Sequence, residues 1–300
     1  MPATNMFPVF DGHNDTLLHM HIPAFGKGRS FFIESTWGHI DLPRARKGGF
    51  GGGFFAICPV DPARTNATNS NQNANSSDQE IGSFPALDPT YAQQFTLAVA
   101  ARLFHLEREA EGQIKIVRTS EELQSCLREG ILAAILHFEG AEALDPQLNA
   151  LEVFYQAGLR SLGIVWSRSN AFAHGVPFDF PRSPDTGPGL TEAGKDLVRA
   201  CNRLHILLDL SHLNEQGFWD VARLSDAPLV ATHSNAHALC ASTRNLTDKQ
   251  LDAIKASTGM VGVNFHAAFL RADGCKNPNT SLDEIIRHVD YLVEHLGIDS

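Results

Sequence analysis

The 300-residue sequence has no stretch near the roughly 18 consecutive apolar residues of a membrane-spanning helix. The N-terminal MPATNMFPVFDGHND has neither a basic n-region nor an apolar run, so no secretory signal is read there. Positive charge is in deficit: Lys and Arg total 24 against 34 Asp and Glu, a formal net charge of −10. That balance leaves no basic excess to neutralise phosphates and excludes a general nucleic-acid binder. Cysteine is sparse. The five, Cys58, Cys126, Cys201, Cys240 and Cys275, are odd in number and widely spaced, without a CxxC. A disulfide framework is therefore not expected, and free thiols in a reducing compartment are. These absences together point to a cytoplasmic protein with no membrane and no nucleic acid among its partners. The Asn-x-Ser/Thr triplets at Asn66 and Asn75 are read as chance. Tyrosine and tryptophan number three each, against fourteen histidines.

The sequence is 43% hydrophobic and 19% charged, which suits a large buried core. Its length fits one α/β barrel as well as two smaller domains. Seven short apolar runs read as strands covered on both faces: 8–13, 53–59, 131–140, 158–167, 205–212, 228–234 and 259–265. Between them lie helical patterns. PTYAQQFTLAVAARLFHLEREAEG and LTEAGKDLVRACNRLH carry apolar residues at helical spacing, with Thr191 as a start signal for the second. LTDKQLDAIKAS opens on Thr247 as an N-cap. SLDEIIRHVDYLVEHLG has Ser281 and Glu284 at capping-box spacing. Repeated strand–helix alternation predicts a parallel sheet, one strand short of a (β/α)8 barrel. The sequence stops at GIDS, where the eighth strand would begin, so the expectation is a fragment of a longer chain with that strand beyond residue 300. All 300 residues are read as one domain. Residues 64–83, rich in Asn, Ser and Gln, are read as a flexible insertion loop rather than a linker. The GGFGGG run at 48–53 precedes a strand, whereas a phosphate loop follows one, so no phosphate site is read there.

Chemistry gathers at the C-terminal ends of the expected strands. His13-Asn14-Asp15 ends the first, His137-Phe138-Glu139-Gly140 the third, Asp209-Leu210-Ser211-His212 the fifth and Thr232-His233-Ser234 the sixth. In a barrel these ends share one mouth. On a strand, residues i and i+2 share a face, which would direct His13 and Asp15 at one object. Imidazoles with carboxylates are ligands for zinc and related divalent ions. Three of them would make one catalytic site, and five suit two ions sharing a carboxylate. Each residue alone has a structural alternative: Asp15 as a helix cap, Glu139 as an arginine partner, His137 as a support for the ligands. His266 is a weaker candidate. His19, His21, His39, His105, His288 and His295 do not end strands and are read as structural or solvated.

VFDGHNDT, HFEGAEAL, LLDLSHLN and PLVATHSNAHALCASTRNLTD, in that order, resemble the membrane dipeptidase family, the renal-type dipeptidases or M19 metallopeptidases. The resemblance runs from about residue 7 to the end, and the motif opening at His233 is its most specific part. It implies an amidohydrolase-like (β/α)8 TIM barrel with two Zn2+ ions per chain. It places His13 and Asp15 on one zinc and His212 and His233 on the other, with Glu139 bridging, and it makes Asp15 and Glu139 the catalytic carboxylates. It assigns Arg244 to the C-terminal carboxylate of a dipeptide, a pairing suited to a guanidinium fork. The implied reaction is hydrolysis of dipeptides, including those with a C-terminal D-residue, by a metal-bridging hydroxide. The implied assembly is a homodimer.

Two departures from the family pattern stand out. Trp166 falls where animal members carry a carbonyl-polarising histidine. Its indole N–H donates a hydrogen bond but carries no charge, and Arg168, Asn170 and His174 are neighbouring substitutes. The strand-eight aspartate implicated in proton transfer would lie beyond residue 300. The competing readings are another binuclear amidohydrolase acting on a cyclic amide or ester, and a metal-binding barrel without catalysis. His-x-Asp on the first strand, with a glutamate at the bridging position, favours the dipeptidase over the first. The complete ligand set favours it over the second.

Overall fold

A computed structural model describes residues 8–26, 28–61 and 84–298. The expected 64–83 loop lies outside the described residues. Among the described residues eight strands alternate with helices: β1 (Val9–Asn14), β2 (Phe50–Ile57), β3 (Ile114–Ile116), β4 (Leu132–Glu139), β5 (Leu159–Gly163), β6 (Leu207–Asp209), β7 (Val230–Ala231) and β8 (Met260–Val261). The hydrogen-bonded path runs β1-β2-β4-β5-β6-β7-β8, and β3 pairs with β4 off that path. The seven strands of the path are the seven expected from sequence. The additional strand, β3, is parallel to the start of β4, with Ile114 opposite Leu132 and Ile116 opposite Ala134. Its IKI is too short to show a period.

The chain divides into two compact units. Among the described residues the first comprises 8–61, 88–139 and 149–161, and the second 84–87, 140–148 and 162–298.

In the first unit β2 and β4 pair in parallel from Gly52–Ala133 to Ile57–Phe138. Gly48 and Gly49 of the GGFGGG run precede β2, and Gly51, Gly52 and Gly53 fall inside it. Those inside are needed for close strand approach: a Cβ on Gly53 would stand 2.7 Å from the Asp11 Cβ, and one on Gly52 would stand 2.3 Å from the Ala133 carbonyl oxygen. The helix Pro89–Glu109 starts where the Asp88 side chain accepts from the Tyr91 N–H at 2.8 Å. Its Ala92, Phe95, Val99, Leu103 and Leu106 recur at helical spacing and are buried.

In the second unit the strands are only two or three residues long. Helix Glu192–Leu204 is capped by Thr191, whose hydroxyl accepts from the Gly194 N–H at 3.0 Å. Helix Asp248–Ala256 follows Thr247, whose N–H and hydroxyl both donate to Gln250 Oε1. The capping box expected at Ser281 and Glu284 is corrected. The last helix starts at Asp283, the Ser281 hydroxyl meets Asp283, and Glu284 turns to Arg287 at 2.8 Å. The nearer carboxylate takes the serine. No described helix is long and apolar enough to cross a membrane.

Candidate metal centre

The first unit brings together His13, Asp15 and Glu139. The ladder between β1 and β2 shifts register between Asp11 and Asn14, and a bulge of this kind re-aims the side chain that it carries. His13 sits in that irregularity. Asp15 lies past the strand, at the start of helix Thr16–His21, and its side chain makes no capping bond there. Simple alternation along a strand is therefore not what joins His13 to Asp15; the bulge and the turn into the helix do it. His13 Nε2 stands 3.7 Å from Asp15 Oδ1 and 3.8 Å from Glu139 Oε2. These separations exceed a hydrogen bond. They approach the roughly 3.4 Å between two ligands on one tetrahedral ion with bonds of about 2.1 Å.

Glu139 is the last residue of β4 and is 5% exposed. His137, one alternation back on the same strand, is fully buried, with Nδ1 2.9 Å from Ser161 Oγ. Its ring meets the His13 ring edge-on at 6.1 Å, so it packs beneath the ligand candidates. Crowding around the Asp15 carboxylate disfavours its charge. The His13 imidazole, with His19 and His39 farther off, outweighs that and holds Asp15 below the usual carboxylate range. At Asp11 burial prevails instead and raises the pKa, against the Asn14 amide that donates to it at 2.8 Å.

The second unit brings together His212 and His233, beyond the ends of β6 and β7. Their Nε2 atoms face each other at 3.0 Å, and both side chains are buried. Each ring is held from behind by a hydroxyl: Ser167 Oγ lies 2.8 Å from His212 Nδ1, and Thr232 Oγ1 lies 2.8 Å from His233 Nδ1. His212 has φ +68, a left-handed backbone that costs a non-glycine residue about 1–3 kcal/mol where it is strained.

Trp166 lies past the end of β5, with its ring 6.0 Å from that of His212. Phe84 and Phe178 pack on Trp166 at 4.5 and 5.6 Å. The Arg168 guanidinium lies over Trp166 at 4.6 Å and 3.5 Å from Glu142. Asn170 is structural: it donates to the Ile164 carbonyl and accepts from the Phe172 and Ala173 N–H groups. His174 pairs with Ser169 at 2.9 Å. Arg244 is 3% exposed. It donates through Nη2 to the His233 carbonyl at 3.0 Å, with its guanidinium 5.6 Å above Phe269. His266 packs its ring on Phe269 at 4.6 Å.

The donor set fits divalent metal. Two imidazole nitrogens at 3.0 Å, each with its other nitrogen already at a hydroxyl, have electron density directed at one another unless a proton or a cation lies between them. The first unit offers one imidazole and two carboxylates at ligand-like spacing. Sequence reasoning did not assign the residues that hold the rings: Ser167, Thr232 and, behind Thr232, Asp209. Asp209 and Thr232 stand inside the motifs at the strand ends, but only the tertiary contacts show their roles.

Imidazoles and carboxylates presented at the ends of parallel strands define a candidate metal site. A family model for membrane dipeptidases (peptidase family M19) matches residues 3–300, and the chain belongs to that family. A metallopeptidase from Rhodobacter sphaeroides, solved with a phosphinate mimic of the dipeptide L-Ala-D-Ala, is 51% identical. The match covers 98% of this chain and 84% of that one, with a TM-score of 0.90. A second crystal structure, of a dipeptidase of family M19, is 52% identical over 97% of this chain and 82% of its own, with a TM-score of 0.87. A protein encoded in the PQQ-III 3′ region of Acinetobacter calcoaceticus is 43% identical over 295 residues, 97% of this chain and 90% of the relative. The fold is that of the amidohydrolase-like (β/α)8 barrel, and the protein is a metallo-dipeptidase, a hydrolase of peptide bonds.

Proposed function

We propose that the protein is a binuclear zinc dipeptidase acting on short dipeptides, those with a C-terminal D-residue included. His13, Asp15 and Glu139 of the first unit and His212 and His233 of the second would supply the ligands, with Glu139 shared. The observation that carries this reading is the approach of His212 Nε2 and His233 Nε2 to 3.0 Å with both Nδ1 atoms at hydroxyls. The first unit's imidazole and carboxylates at 3.7–3.8 Å support it. The Rhodobacter relative's dipeptide mimic, with a D-alanine, supports the substrate class.

When bound, zinc supplies Lewis acidity toward the peptide carbonyl and lowers the pKa of water. The chain's residues do the rest. Asp15 and Glu139 bring negative charge to the centre and offer proton acceptors beside the reacting carbonyl. Arg244, buried and already oriented by the His233 carbonyl and Phe269, presents its guanidinium to the substrate's C-terminal carboxylate. Trp166, with Phe84 and Phe178, forms an apolar wall beside His212 that limits water and accepts a substrate side chain. The five cysteines, none of them in a disulfide, suit a reducing, cytoplasmic setting.

The test is elemental analysis of the purified protein together with turnover of L-Ala-D-Ala and L-Ala-L-Ala followed by ninhydrin. About two zinc per chain, and hydrolysis of both dipeptides lost on chelation and restored by zinc, is the expected result. Metal retained without dipeptide turnover would move the substrate to another amide. A preparation that takes up no divalent metal would overturn the reading of these residues.

A further inference from the structure

The hydrogen bonds behind His233 have a fixed direction. Asp209 ends β6 and is 2% exposed. Its Oδ1 accepts the backbone N–H groups of Ser211 at 3.0 Å and Thr232 at 2.9 Å. Its Oδ2 lies 2.6 Å from the Thr232 hydroxyl, which donates to it. A hydroxyl has one proton to give. With that proton committed to Asp209, the Thr232 oxygen can only accept from the ring nitrogen 2.8 Å away, His233 Nδ1. With Asp209 as a carboxylate, this arrangement calls for the His233 proton on Nδ1 and leaves the Nε2 lone pair toward His212. Asp209 Oδ2 is itself 3.8 Å from His233 Nδ1, too far for a direct bond, so the threonine is the link.

We propose that Asp209 is a positioning residue that sets the tautomer of His233 through the Thr232 hydroxyl, holding Nε2 as a metal ligand. Only the neutral ring with a lone pair on Nε2 can ligate from that side. The proposal rests on the reading above that His233 binds metal. The tautomer itself can be read without metal.

The substitution Asp209→Asn inverts the chain of donors. The two backbone N–H groups on Oδ1 keep an oxygen at that position, so the asparagine NH2 must face Thr232. It donates to the Thr232 oxygen, the hydroxyl turns to donate to His233 Nδ1, and the ring proton moves to Nε2. The experiment uses 15N-labelled full-length protein after treatment with chelator. Long-range 1H–15N spectra report the proton position on each histidine, with His233 assigned through the peak lost in His233→Gln. Zinc affinity is then read by competition with a chromophoric chelator.

Wild-type protein is expected to show the proton on Nδ1, and Asp209→Asn to show it on Nε2. In that variant one ion should bind about 10- to 100-fold more weakly. Thr232→Ser keeps the hydroxyl and should keep both the wild-type tautomer and the affinity. Thr232→Val removes the hydroxyl and should give a mixed tautomer and weaker binding. This second pair carries the test if Asp209→Asn fails to fold. A His233 proton that stays on Nδ1 in Asp209→Asn, or wild-type behaviour of folded Thr232→Val, overturns the proposal. If the tautomer moves while the wild-type protein holds no zinc, the positioning role stands and the metal reading of His233 falls.

Discussion

The two units hold their candidate ligands in different ways. In the first, β2 and β4 are eight residues each and pair along most of their length. Glu139 leaves the end of that ladder, and His13 leaves a bulge at the edge of it. Backbone hydrogen bonds fix where those side chains start, and the ligand atoms stand 3.7–3.8 Å apart. In the second, β6, β7 and β8 are two or three residues long, and His212 and His233 lie on the loops beyond them. There the buried side chains of Ser167, Asp209, Ser211 and Thr232 do the work that the ladder does in the first unit. Where a loop must hold a ligand, side-chain hydrogen bonds with fixed donors substitute for strand pairing.

That contrast gives an order of expected effects. The largest comes from the ligands themselves. Glu139→Gln should lower kcat/KM for L-Ala-D-Ala by about 1,000-fold or more and bring zinc content below one per chain, because the proposed bridging carboxylate would serve both ions. His212→Ala should lose comparable activity while keeping one ion. Equal metal loss in the two variants would erase the assigned difference between bridge and single-ion ligand.

Next comes the network. Ser167→Ala removes the group behind His212 Nδ1 and should weaken zinc binding by about 10- to 100-fold with little change in thermal stability. Unchanged affinity by chelator competition would show that the loop itself, and not the hydroxyl, positions the ring. The counterpart in the first unit is the strand approach. Gly53→Ala places a methyl 2.7 Å from the Asp11 backbone oxygen and should cost about 1–3 kcal/mol in urea unfolding. It should disturb His13 only through the strand.

The smallest effect is a pH dependence. His288 is fully buried; its Nδ1 accepts the Ala236 N–H at 3.2 Å and its Nε2–H donates to the Leu270 carbonyl at 2.9 Å. Burial lowers its pKa from 6.5, with Arg287 acting in the same direction and the Leu270 contact and Glu284 opposing. The neutral ring is the folded form. Its contribution is fully present above the unfolded value near 6.5 and is lost as pH falls through the lower folded value. The melting temperature of the wild-type protein should therefore fall between pH 7.5 and 5.5 more steeply than that of His288→Gln. Parallel curves for the two would remove His288 as a source of acid sensitivity.

Much of the fold was legible because its elements carry strong local signals. The apolar runs of β2 and β4, the spacing in Pro89–Glu109 and the Thr191 cap each follow from residues close in sequence. β3 was not legible, since three residues define no period. Strand ends were also placed too far along. β5 stops at Gly163 and β6 at Asp209; beyond them the Ser167 hydroxyl meets the His212 ring and the Ser211 N–H turns back to the Asp209 carboxylate. The Ser281 cap failed because Asp283 lies nearer to the hydroxyl than Glu284 does.

Sequence by itself determined the types of the candidate ligands, their order along the chain and the family, because imidazoles and carboxylates recur in motifs at the ends of apolar runs. Tertiary structure alone decided how those groups are oriented. The proton on His233 depends on a carboxylate from another strand and a hydroxyl between them, and the aim of His13 depends on a bulge against β2. Hydrogen-bond direction is a property of atoms brought together by folding, and no spacing along a chain encodes it.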